Sequence, residues 1–156
     1  MKTGQKGLDL IKHFEQFRAD AYQDAVGIWT IGYGRIKNVS PGDTCTLEQA
    51  ENWLAEELAH EYEGYVNNYV EVALTQDQFD GLVGWVYNLG GGALKSSTLL
   101  KRLNAGAYDE VPFQMKRWNK AGGKVLKGLV RRRVSEALLF ETGEENYSPD
   151  GWDDNL

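Results

Sequence analysis

Glu15, Asp24 and Thr30 are the residues whose types and spacing suit joint chemistry. Two carboxyl groups brought from different elements to one place are the equipment of acid/base work. One protonates a leaving oxygen, and the other stabilises positive charge or orients a water molecule, as breaking a glycosidic bond demands. Glu15 lies near the end of an apolar-striped segment (Leu8, Ile11, Phe14), and a carboxyl set against an apolar wall holds its proton more readily, which suits an acid. Asp24 sits among polar and turn residues, where a carboxylate stays ionised. Thr30, inside W29-T30-I31-G32-Y33-G34, offers a hydroxyl that both donates and accepts, and so can hold water beside Asp24.

These residues need elements to hold them. Residues 4–17 read as a first helix, with Leu8, Ile11 and Phe14 on one stripe and Glu15 falling between Leu8 and Ile11. Glu15 is then either a surface residue at a helix end or a carboxylate in a partly desolvated cleft. From Ala21 to Thr44 the glycines and the P41-G42-D43 turn predict a small antiparallel sheet, too small to stand without a helical partner. Thr46 with Gln49 forms a capping-box pattern opening a helix whose face runs through Leu54, Leu58, Tyr62 and Tyr69. Thr75 with Gln78 opens another, carrying Phe79, Leu82, Val83 and Val86 and stopped by G90-G91-G92. Further helices are expected over Ser96–Leu103, over Asp109–Lys116 with Pro112 in the first turn, and after the A121-G122-G123-K124 loop.

The fold class expected is α+β: a small antiparallel β lobe at about 18–46, a connecting helix at about 47–69, and a helical lobe at about 70–143 with the N-terminal helix packed on it. Together 1–143 form one domain, with a groove between the lobes as the default site. Residues 144–156 are an acidic tail, which Trp152 would dock to the body. That tail supplies −5 of the formal charge of −6. The nearly neutral remainder argues against a nucleic-acid partner. There is no apolar run long enough to span a bilayer and no signal segment at the N-terminus. The single Cys45 reads as a buried structural thiol. His13 and His60 lie far apart with no close cysteine, so neither a metal nor a cofactor is implied.

Motifs along the whole chain carry a resemblance. L10-I11-K12-x-F14-E15-x-F17-R18, Tyr22, Asp24 and W29-T30-I31-G32-Y33-G34 are followed in order by L74-T75-Q76-x-Q78-F79-D80-x-L82, N88-x-G90-x-G92, S97-T98-L99-L100, L103-N104-x-G106, W118-x-x-A121-G122-G123 and G128-L129-x-R131-R132-R133-x-x-E136. Over residues 5–141 the chain resembles the phage-type lysozymes, or endolysins, of glycoside hydrolase family 24. The resemblance implies a lysozyme-like fold and hydrolysis of the β-1,4 bond between N-acetylmuramic acid and N-acetylglucosamine in bacterial peptidoglycan, with inversion. It implies Glu15 as general acid, Asp24 as second carboxylate and Thr30 as the residue that helps hold the attacking water. A monomer made in the host bacterial cytoplasm and acting on the wall in the periplasm is expected, either a phage or prophage lysis enzyme that needs a separate holin-like pore or an effector delivered by another machine.

Two features depart from the family pattern. Many relatives carry histidine after the glycine corresponding to Gly34, where this chain has Arg35, whose role would be ionic. The acidic tail differs from the basic surfaces common among such enzymes. Tyr33, Arg35, Gly122 and Gly123 are the candidate substrate contacts, while Trp85 falls on a core stripe. Arg131, Arg132 and Arg133 either bind phosphate or, some of them, pair with Glu136 or buried carboxyl groups near the surface of the helical lobe. The competing functions are a non-enzymatic peptidoglycan-binding or regulatory module and a hydrolase of chitin-like oligosaccharides.

Overall fold

The computed structural model describes residues 1–148; the expected docking of Trp152 lies outside them. Helix α1 runs over Gln5–Glu15 and buries Gly7, Leu10 and Ile11. Its N-terminus is closed from a distance. The Asp80 carboxylate, 1% exposed, accepts from the backbone amides of Gly4 at 2.8 Å and Gly7 at 3.2 Å, satisfying orphan donors where the helix dipole favours negative charge. At the other end Gln16 takes φ 58°, which turns the chain out of the helix immediately after Glu15.

Strands β1 (Arg18–Gln23) and β2 (Trp29–Gly32) pair antiparallel, with Tyr22 opposite Thr30 and Gln23 opposite Trp29. Isolated bridges from Asp20 to Thr44 and from Ile31 to Arg35 extend this small lobe. Cys45 lies beneath it with its thiol near the Arg18 carbonyl, and burial pushes the thiol pKa up, in keeping with a structural role.

The capping boxes form as their sequences require. Thr46 starts α2 (Leu47–Glu57), and Thr75 starts α4 (Gln76–Leu89) by accepting from the Gln78 amide at 3.1 Å while Gln78 accepts from the Thr75 amide. Thr75→Ala is expected to cost about 1 kcal/mol, read as a lower denaturation midpoint with an unchanged slope. Helix α2 passes through one wide π turn at Leu58–Tyr62 into α3 (Glu63–Tyr69), so the connection between lobes is long and continuous. Periodicity did not announce this π turn: the expected stripe continues through Tyr62 and Tyr69, whereas the residue buried in α3 is Val66.

Helix α4 is the axis of the larger helical lobe. Phe79, Leu82, Val83, Trp85 and Val86 are wholly buried, each large side chain worth about 1.5–3 kcal/mol on leaving water. Gly90, at φ 92°, ends α4 as expected, but Gly91 and Gly92 open a further short helix, α5 (Gly91–Ser96). Gly91 lies so close to the Tyr65 ring that a Cβ would sit 2.6 Å from it, so the glycine serves packing as well as the stop. Ser97 divides α5 from α6 (Thr98–Asn104) by capping the Leu100 amide. A short 3₁₀ turn precedes α7 (Val111–Lys116), where Pro112 occupies the first turn.

Residues 120–125 are a hairpin, not a plain loop: β3 (Lys120–Ala121) pairs with β4 (Lys124–Val125) around Gly122 and Gly123, both at positive φ. The last helix, α8 (Lys127–Thr142), ends at Gly143 in the left-handed conformation and packs along α4. Two glycines of α4 permit the close approaches on either side. A Cβ on Gly81 would fall 2.9 Å from the Glu136 carbonyl, and one on Gly84 would fall 2.9 Å from Leu10 Cδ2. Beyond α8, Tyr147 stacks on His13 with ring centroids 4.3 Å apart.

Candidate active site

A cleft of about 440 Å³ opens where the small lobe, the α2–α3 connection and α4 meet. Its walls carry Glu15 from the end of α1, Gly34 and Ile36 from the turn after β2, Glu57 and Glu61 from the connection, and Tyr87 and Asn88 from α4. Glu15 is therefore in the cleft, which decides between the two placements its sequence left open.

Its environment differs from the expected apolar wall. Arg132 of α8 donates to Glu15 Oε1 at 2.8 Å, and this ion pair is largely covered, with side chains 6% and 21% exposed. The other oxygen, Oε2, is turned to Gly34, where a Cβ would come within 2.6 Å of it. Gly34 is at φ 82°. The absent side chain thus gives the carboxylate its place and permits the turn. The stripe of Leu8 and Ile11 packs into the core, while the charged end of the helix meets a guanidinium.

Asp24 and Thr30 lie on the β hairpin and outside the described lining of that cleft. Asp24 Oδ1 accepts from the backbone amides of Val26 at 3.0 Å and Ile28 at 2.9 Å, which fixes the carboxylate at the head of the turn. Thr30 is 5% exposed, and its hydroxyl donates to the Ile28 carbonyl at 2.9 Å. Ile28 therefore orients both side chains, Asp24 through its amide and Thr30 through its carbonyl. The turn bearing Gly34 is tied to this hairpin by the reciprocal Ile31–Arg35 backbone bonds, at 2.9 Å each.

The four candidate contacts fall elsewhere. Tyr33 is 9% exposed, its ring packs near Phe17 in the core, and its carbonyl accepts from the Tyr87 hydroxyl at 2.6 Å. Tyrosine at this sheet position was read as a groove platform; the turn instead points its apolar body inward. Gly122 and Gly123 form the exposed tip of the β3–β4 hairpin and do not line the cleft. Arg35 pairs with Glu57 at 3.2 Å and lies over the Trp53 ring at 4.7 Å, behind the cleft wall. Its ionic role is thus to hold Glu57, a carboxylate that sequence reasoning did not single out. The sequence signal for Glu57 was the one Glu15 also carries, an acid at the edge of an apolar stripe, here beside Ala50 and Leu54.

Burial raises the Glu57 pKa above its ordinary 4.5, against the opposing pull of Arg35 and Lys37. A carboxyl raised on folding contributes stability that is complete below about pH 4.5 and is lost as pH rises through the folded value. Glu57→Gln removes this dependence. Whatever its stability relative to wild type at pH 7, the variant is expected to lose ground to wild type between pH 7 and pH 4, as measured by thermal unfolding at both. A variant that gained ground on acidification would contradict the assignment. Tyr62 and Tyr87 bring neutral hydroxyls to the cleft. Burial and neighbouring carboxylates push Tyr62 up to about 12 and Tyr87 higher still.

Fold and cleft together define a lysozyme-like enzyme: a small sheet lobe set against a helical lobe, with a carboxylate from the first helix held in the groove. The phage lysozyme family model matches residues 12–136. An endolysin of Acyrthosiphon pisum secondary endosymbiont phage 1 is 43% identical over 146 residues, covering 91% of this chain and 99% of that protein. The endolysin of Bacillus phage B103 is 45% identical over 147 residues, but this chain spans only 56% of its length. Among solved structures, the endolysin from Escherichia coli O157:H7 phage FAHEc1 superposes with a TM-score of 0.86 at 39% identity, covering 94% of this chain and 97% of that one. The chain belongs to the phage lysozyme family, and its activity is that of a lysozyme-type glycoside hydrolase.

Proposed function

We propose that this enzyme cleaves the β-1,4 bond between N-acetylmuramic acid and N-acetylglucosamine in bacterial peptidoglycan, by a single displacement with inversion. The observation that carries the reading is the fixed Glu15 carboxyl in the cleft, with Oε1 held by Arg132 at 2.8 Å and Oε2 turned to the glycine-lined wall. Oε2 is the oxygen that carries and delivers the proton to the leaving glycosidic oxygen. Asp24 acts as the base. Its two amide bonds land on Oδ1, which leaves Oδ2 to take a proton from water. The Thr30 hydroxyl spends its proton on the Ile28 carbonyl, so it meets that water as an acceptor and orients it. The water attacks the anomeric carbon from the face opposite the departing oxygen, as inversion requires.

Purified peptidoglycan digested with the enzyme and then reduced with borohydride tests the bond assignment. Reduced N-acetylmuramic acid in the soluble products is the expected result. Reduced N-acetylglucosamine alone, or faster cleavage of chitin oligosaccharides than of peptidoglycan, would overturn it. In the biological setting proposed here the enzyme is made in the cytoplasm of a host bacterium and acts on its wall as a monomer, reaching it through a holin-like pore.

A further inference from the structure

Arg132 does not reach Glu15 unaided. Its Nε donates at 3.1 Å to Oε2 of Glu136, one turn further along α8, and its Nη2 donates at 3.3 Å to the Gly84 carbonyl of α4. Glu136 is wholly buried, and so is Arg133, whose Nη2 shares the same carboxylate oxygen at 3.2 Å and whose Nε lies 2.8 Å from Oε1. Arg133 Nη2 also donates at 2.7 Å to Asn88 Oδ1. Both ends of this cluster, Glu15 and Asn88, stand on the cleft wall.

We infer that Glu136 is a positioning residue: a buried carboxylate that, through Arg132 and Arg133, fixes Glu15 and Asn88 in the cleft. The inference rests on the proposed role of Glu15 as the acid.

A buried carboxylate between two arginines is a weak source of stability, because desolvating three charges offsets most of their attraction. It is a strong source of geometry. A guanidinium is a planar fork, and gripping Nε and carbonyl-bonding Nη2 leaves Nη1 aimed in one direction. That direction is Glu15 Oε1. Gly84 makes the arrangement feasible by letting the α4 backbone approach both α1 and the Arg132 fork. With all four groups ionised, Glu15 and Glu136 balance Arg132 and Arg133; burial works against that state, pushing the Glu136 pKa up and the Arg133 pKa down, and their mutual attraction opposes it. Burial opposes the charge on Arg132, but Glu136 and Glu15 outweigh it and hold its pKa above the ordinary value, so the fork stays charged throughout turnover.

Charge balance also makes the role measurable. The cleft that holds Glu15 is also lined by Glu57, Glu61, Lys37, Tyr62 and Tyr87, and on its own helix His13 is stacked against Tyr147. Replacing Glu136 by glutamine leaves those groups in place and removes one negative charge from behind Arg132. Two guanidinium groups then act on Glu15, its proton leaves more easily, and the alkaline limb of the kcat profile moves to lower pH. Glu136→Asp keeps the charge but shortens the reach.

The experiment compares the pH dependence of kcat and KM for wild type, Glu136→Gln and Glu136→Asp on peptidoglycan, alongside the carboxyl ¹³C titration of Glu15. Glu136→Gln is expected to lower kcat by up to about 10²-fold with little change in KM, and to lower both the alkaline limb and the Glu15 titration midpoint. Glu136→Asp is expected to lower kcat while leaving the limb nearer its wild-type position. Wild-type kcat and an unmoved Glu15 midpoint in Glu136→Gln would overturn the inference. If the single glutamine variant does not fold, Glu136→Gln with Arg133→Gln keeps the cluster neutral, and wild-type kcat in that protein would overturn it equally. An inactive wild type would count against the reading of Glu15 as acid, whereas the titration still decides whether Glu136 acts on Glu15.

Discussion

Glu15→Gln is expected to lower turnover of peptidoglycan by about 10²- to 10⁴-fold, the usual contribution of a positioned general acid. Glutamine keeps the length of the side chain, and its amide oxygen can still accept from Arg132 in place of Oε1. What it loses is the transferable proton on the oxygen facing Gly34. Substrate binding, which depends on the whole cleft, should change little, so the loss belongs in kcat. Folding is not expected to collapse, because Glu15 lies at the end of α1, past the core-packing residues Leu10 and Ile11. Steady-state kinetics with a thermal unfolding curve on the same preparation separates the two. Full turnover from a properly folded Glu15→Gln protein would remove Glu15 from the chemistry.

Gly34→Ala is expected to disable the enzyme by displacing that same carboxyl group without touching it covalently. The new Cβ would stand 2.6 Å from Glu15 Oε2 and 3.2 Å from its Cδ. It would also hold a non-glycine residue at φ 82°, a strain of about 1–2 kcal/mol. The clash falls on the far end of a side chain, so the protein can relieve it by swinging Glu15 away. Doing so stretches the 2.8 Å bond to Arg132. A misplacement of about 1 Å costs up to about 10²-fold in rate. Activity should therefore fall much further than stability does. Near-normal turnover would mean that the place of Glu15 beside Gly34 is not the working one. A protein too unstable to assay at moderate temperature would mean that backbone strain, not displacement, dominates.

The sequence carried the layout of this molecule well where local chemistry decides structure. Thr46 with Gln49 and Thr75 with Gln78 mark helix starts because their caps are closed by residues three positions apart. The stripe ending at Phe14 and Glu15, the glycine-punctuated hairpin and the family motifs placed a helix end beside a small sheet. The stop at Gly90 was legible; the restart at Gly91 was not, since it depends on the Tyr65 ring contributed by another helix.

The site was legible in its members and obscure in its wiring. Glu15, Asp24 and Thr30 stand out as residue types at motif spacing, but the partner of Glu15 lies 117 residues away in sequence. Pairing among Arg132, Arg133 and Glu136 was one reading of their helical spacing, and it forms. Buried carboxyl partners were part of that reading; what it did not carry is the close α4–α8 approach that brings Arg132 to Glu15 in the cleft. Tyr33 was read as a groove residue, but it follows β2 on a turn, and its ring is covered by contacts from distant parts of the chain, Phe17 beside it and Tyr87 of α4 bonded to its carbonyl. Arg35 was correctly read as ionic in role, yet Glu57 becomes its partner through the fold of the small lobe over α2, the local pattern marking only an acid at the edge of an apolar stripe.

The most direct test is the configuration of the first product, followed by NMR immediately after adding enzyme to a soluble peptidoglycan fragment. With Glu15 protonating the leaving oxygen while Asp24 and Thr30 hold the attacking water, the new reducing end must first appear as the α anomer and only then mutarotate. Initial release of the β anomer would contradict this account, because it requires two successive displacements and a covalent intermediate.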